Sequence, residues 1–168
     1  MNPDTSRYLL RHLVATLAYR AAKVLRDVPP GFAEFSIGPS TRFPVQILAH
    51  MADLVGWALR GAQGEMVWRP EGTRDWHCEL RRFFYGLQAL DHFLASDAPL
   101  QTKPELLMQA PLADALTHVG QLAMLRGAAG VPVRPESYAR AEIVVGRVGL
   151  IDQAAPGLEF DGDASVRT

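Results

Sequence analysis

The apolar residues of this chain fall into four blocks at helical spacing, separated by stretches rich in glycine and proline. In the first block, about Thr5 to Asp27, Leu10, Leu13, Leu17, Ala21, Val24 and Leu25 recur every three or four positions. That period gathers them on one face of a helix and leaves the polar residues between them on the other. Asp4 or Thr5 is a suitable cap, and Pro29, Pro30 and Gly31 end the run. The second block runs from about Arg42 to Arg60. Ile47, Met51, Leu54 and Ala58 form its stripe, widened by Leu48, Val55 and Leu59. Thr41 is a candidate cap, and Pro44 fits the first turn, where a missing N–H costs nothing. Gly61 and Gly64 break the chain, and the segment from Gly61 to Gly72 is long enough for a crossover.

The third block, near Thr73 to Ser96, carries Trp76, Leu80, Phe83, Leu87, Leu90 and Leu94 on one stripe. Phe84 opens a neighbouring row that Gln88 and Asp91 make polar. In the fourth, Pro104 opens a short turn through Gln109, and Pro111 is expected to start the main helix. Inside a helix, proline loses a hydrogen bond and crowds the preceding turn. Leu112, Leu116, Val119, Leu122, Ala123 and Leu125 then face the core, and Gly127 and Gly130 stop the helix. The stretch Pro135 to Gly146 reads as a short fifth helix, and the polar chain after Pro156 as a fraying end. No strand rhythm or internal repeat competes. Helices with one apolar face each bury it by bundling, so the expected class is all-α. A single domain of residues 1–168 is expected, with a bundle core over about 5–130 and an extension over about 131–168.

Composition narrows the function classes. Hydrophobic residues are 48% of the chain and charged ones 21%, enough apolar content for a core and too much for global disorder. Seventeen basic against eighteen acidic residues give a charge of -1, which argues against nucleic acid as a partner. The single cysteine, Cys78, excludes an internal disulfide and a multi-cysteine metal site and agrees with a cytoplasmic location. Arg7, Arg11, His12 and Arg20 interrupt the N-terminal apolar residues, so no secretory signal is expected. Arg20, Lys23 and Arg26 likewise spoil a membrane span.

Five histidines then carry the candidate chemistry. His118 lies one turn after Asp114, and spacing i, i+4 puts both on one helix face, where they could share a divalent ion. The rival is a hydrogen-bonded pair without metal. His50, in ILAHMADL, borders the apolar stripe of the second helix and needs a partner there, either Asp53 one turn on or a metal. Together His50, Asp114 and His118 make a two-histidine, one-carboxylate set with open positions for water or substrate. Zinc, nickel, iron and manganese all suit mixed nitrogen and oxygen donors. His92 and His12 read as surface groups. His77 and Cys78 are adjacent on a helix and do not face each other, so Cys78 reads as a partly buried small residue. Gln121 is a candidate to orient a ligand. Glu79 and Arg82 read as a solvated face that could line the pocket, Tyr85 as packing, and Trp57 and Trp68 as core or crossover packing, with a cavity wall as the alternative. GxGxxG, P-loop, HExxH and GxSxG motifs are absent.

ILAHMADL around His50 and DALTHVGQLAMLRGAAG around Asp114 and His118 resemble the DinB-like, YfiT-like superfamily of bacterial four-helix proteins, over about residues 5–130. In that family one histidine comes from the second helix and a His-x-x-x-His pair from the last. His50 matches the first ligand and His118 the second member of the pair, while Asp114 stands where the pair's first histidine would be. The resemblance implies a DinB-like bundle, a divalent metal, and in some relatives transferase or isomerase chemistry using a low-molecular-weight thiol. It also implies a homodimer. The expected function is therefore a metal-dependent enzyme, such as a thiol-dependent transferase acting on a small electrophile. The alternative is a non-enzymatic bundle that binds a small molecule or a partner. The sequence names no catalytic residue beyond the ligand set.

Overall fold

Every predicted apolar face meets another one. In a computed structural model, which describes residues 3–160, the helices are α1 (Pro3–Leu25), α2 (Pro44–Ala62), α3 (Trp76–Ala95), α4 (Pro104–Leu107) and α5 (Ala113–Ala128). A π-helical turn, Met108–Leu112, joins α4 to α5, so the two form one rod. The described residues hold no strand, only one bridge between Glu136 and Glu159. The fold is all-α, and none of its described helices is long and apolar enough to cross a membrane.

Specific contacts give the order and direction of the rods. α1 and α2 each pack against both α3 and α5, so α1 and α2 lie on one diagonal. Arg11 pairs with Asp91, and Arg7 reaches the carbonyls of Phe93 and Leu94, so α1 and α3 are antiparallel. Arg82 meets Ala49, and Gly86 lies against Val55 further along both helices, so α2 and α3 are parallel. A Cβ on Gly86 would come within 3.0 Å of Val55 Cγ1; its absence lets these helices approach closely. Two parallel neighbours need a long return, and residues 63–75 provide it, as the crossover expectation required. Phe83, Leu17, Leu48, Met51, Leu87 and Leu122 fill the centre. Each such side chain contributes about 1.5–3 kcal/mol of burial free energy.

The local signals are partly reassigned. α3 starts at Trp76 rather than Thr73, because Asp75 caps it by accepting from Cys78 N at 2.6 Å. Thr41 bonds the Gly38 carbonyl instead of capping α2; Gln46 Oε1 accepts from Phe43 N there. Pro111 does not open a helix. It sits inside the π turn, whose wider loop tolerates the missing N–H and removes the clash expected in an α-helix. Asp91 is buried, not part of a polar row, because the Arg11 guanidinium forks onto both of its oxygens at 2.9 and 3.0 Å.

The extension also departs from expectation. The only helical piece in 135–146 is a 3₁₀ turn at Tyr138–Arg140. Ser137 N donates to the Leu158 carbonyl and Phe160 N to that of Pro135, and these cross-chain bonds replace helical ones. The chain after Pro156 is thus held through Phe160, while residues 161–168 lie outside the described residues. Buried Glu136 anchors the strap: its carboxylate accepts from Tyr19 Oη at 2.6 Å, Lys23 Nζ at 2.7 Å and Gly157 N at 3.0 Å. Arg126 seals the same end of the bundle by donating to the carbonyls of Val24, Arg26 and Val131.

Candidate metal centre

α2 and α5 run antiparallel in contact, which sets His50 opposite Asp114 and His118. Asp114 Oδ2 lies 3.4 Å from His50 Nε2, and Asp114 Oδ1 lies 3.4 Å from His118 Nε2. One donor atom from each of the three residues falls within 4.8 Å of the others. Donors about 2.1 Å from a tetrahedral ion stand about 3.4 Å apart; each Asp114 oxygen lies at that distance from one histidine, and a set using one atom per residue spans up to 4.8 Å. The group could hold a divalent metal ion.

The surroundings suit ligation. Gln121 Oε1 is 2.7 Å from His118 Nδ1, a contact suited to a proton on Nδ1, and the ring's Nε2 faces Asp114. Gln121 thus contacts a histidine through its amide oxygen, and its side chain lines the adjoining cleft. Burial, and then the neighbouring His118, push the His50 pKa below that of an ordinary imidazole, against a smaller upward pull from Asp114. The neutral ring is the ligand form. His118 is buried, His50 half-buried, and the Asp114 side chain 47% exposed. One side of the triangle therefore faces solvent, as a site with open positions requires.

The crossover covers another side. Trp68 meets the His50 ring edge-on at 5.4 Å between centroids, and Trp57 supports Trp68 at 5.8 Å. Both tryptophans thus pack between α2 and the crossover, as expected, and the pair also borders the candidate site. A polar cluster holds the crossover in place. Asp53 Oδ1 accepts from Glu71 N at 2.9 Å and from Arg82 Nη1 at 2.6 Å. Glu79, fully buried, accepts from Thr73 and from Arg82 Nε at 2.8 Å, while Arg82 Nη2 reaches the Ala49 carbonyl at 2.8 Å. Two expectations are corrected here. Asp53 is engaged by Arg82 and is not the partner of His50, and Glu79 with Arg82 is an interior cluster, not a solvated face. The signal available in the sequence was Glu79 three residues before Arg82, a spacing shared by many exposed pairs.

The remaining histidines lie elsewhere. His12 is exposed and stacks on Tyr8, and His77 and His92 are exposed. Cys78 is exposed rather than partly buried. Its bond to Asp75 raises the thiol pKa, the reverse of what a nucleophile needs. Tyr85 points to solvent instead of packing. Comparison with protein-family models, curated proteins and solved structures returns no match for this chain.

Proposed function

We propose that the chain is a divalent-metal-dependent enzyme of the DinB-like type, with His50, Asp114 and His118 holding the ion. The observation that carries this reading is the Asp114 carboxylate set between the two histidines, with one oxygen 3.4 Å from each Nε2. The reaction proposed is transfer of a low-molecular-weight thiol to a small electrophile, in a cytoplasmic homodimer. Zinc, nickel, iron or manganese bound there would supply Lewis acidity at the solvent-facing positions, favouring a deprotonated nucleophile. The chain's own residues do the rest. Gln121 orients the His118 ring through Nδ1, Asp114 adds negative charge between the two rings, and Trp68 with Trp57 shields one side from water.

A non-enzymatic small-molecule-binding bundle is favoured by one observation. Asp53, the carboxylate that borders the site besides the ligand set, is already bound by Arg82 and Glu71, which leaves it unsuited to proton transfer. Crystals of protein purified without added metal, measured at the absorption edges of the four metals, test the centre directly. The enzyme reading expects an anomalous peak within bonding distance of all three residues and turnover of electrophiles with thiols that His118→Ala abolishes. Metal without turnover favours the binding bundle; no metal and no metal-dependent turnover refute the proposal.

A further inference from the structure

Two clefts flank the histidine pair, one lined by His50 and the other by His118. One, of about 310 Å³, is lined by Arg42, Gln46, His50, Thr73 and Arg74, with Asp53 at its wall. The other, of about 440 Å³, is lined by Arg42 and His118 together with Ile37, Ile47, Met124 and Leu125. Arg42 is common to both. Among the described residues, Arg42 and Arg74 have no hydrogen-bond or ion-pair partner, whereas Asp53 is already neutralised by Arg82. The first cleft therefore presents two guanidinium groups with open donors, and the second presents aliphatic surface. A guanidinium matches a carboxylate in shape and charge, through two parallel hydrogen bonds.

We propose that this double cleft binds a small organic acid, its carboxylate in the Arg42–Arg74 arm and its apolar body against Ile37, Ile47 and Met124. As a statement of substrate class this rests on the proposed metal centre; as a binding site it does not. His50 lines the carboxylate arm and His118 the apolar arm, so such a molecule would border both histidines. A neutral molecule of the same shape would leave both arginines unanswered.

The test uses the full chain, with zinc and after chelation, at mildly alkaline pH. Calorimetry with 3-phenylpropionate is compared with its neutral isostere, 3-phenylpropanamide, and NMR shift changes locate the site. The expected result is binding of the acid about tenfold or more tighter than the amide, the worth of one charge-assisted hydrogen bond. Arg42→Gln is expected to erase that preference and Arg74→Gln to reduce it. Arg140→Gln, on the distant strap, is expected to leave it unchanged. Equal affinity for acid and amide, no binding of either, or an unchanged Arg42→Gln variant overturns the proposal. Zinc titration of the same variants separates the two readings. Preference for the acid in chelated protein that takes up no zinc sustains the cleft and sinks the metal centre; zinc uptake without that preference does the reverse.

Discussion

Replacing Arg82 with methionine would expose how the crossover is held over the candidate centre. Methionine keeps most of the stem and removes every donor. Arg82 joins α3 to Asp53 and Ala49 of α2, and its loss leaves Asp53, 5% exposed, and Glu79, 0% exposed, without their cation. Glu71 N and Thr73 still donate to these carboxylates, so each keeps part of its solvation. Breaking a buried pair by removing one partner costs about 3–5 kcal/mol. Against a total stability of about 5–15 kcal/mol that is a large fraction. For a chain of this size it lowers Tm by about 6–20 °C. Urea unfolding followed by circular dichroism should show a lower midpoint with an unchanged slope. Adding Glu79→Gln and Asp53→Asn should recover part of the loss, because the destabilisation comes from uncompensated charge. A loss under about 1 kcal/mol, the range of exposed pairs, would refute the cluster as the anchor of the crossover.

Gln121→Ala should weaken zinc binding by about 10–100-fold without unfolding α5, read by competition with a chromogenic chelator. Gly72→Ala should loosen the crossover, since its Cβ would stand 2.9 Å from that of Ala49; near-ultraviolet circular dichroism should report altered packing of Trp68 on His50. Burial pushes the Glu136 carboxyl up, but bonds from Lys23, Tyr19 and Gly157 outweigh it and hold its pKa below the ordinary value of 4.5. The stability from Glu136 is therefore present above that value and lost as pH falls through the lower folded one. Glu136→Gln should be less stable than the parent at neutral pH and lose less on acidification, measured by urea midpoints across that window.

The helices were legible because each carries an uninterrupted stripe. Ile47, Met51 and Leu54 could lie on no surface but a core-facing one. The candidate cluster was legible because Asp114 and His118 are one turn apart, and His50 sits at the edge of its stripe. What the sequence hid lies in long-range pairing. Nothing near Asp91 announces Arg11, eighty residues away, and nothing near Glu136 announces Tyr19 and Lys23. A charged residue in an apolar row reads as surface until its partner is known. Pro111 misled for a different reason. The rule that proline opens or ends helices assumes α geometry, and a π turn evades it.

The π turn also works as a phase setter. A π bulge corresponds to one residue inserted into an α-helix, and each residue turns the helix by about 100°. Everything downstream of Met108–Leu112, Asp114 and His118 included, is thereby rotated relative to the anchored α4. Straightening the rod by removing a single residue from that turn would keep its helical content and swing Asp114 and His118 away from His50. The angular address of the candidate cluster is thus written upstream of Asp114 and His118, in five residues that form no part of it.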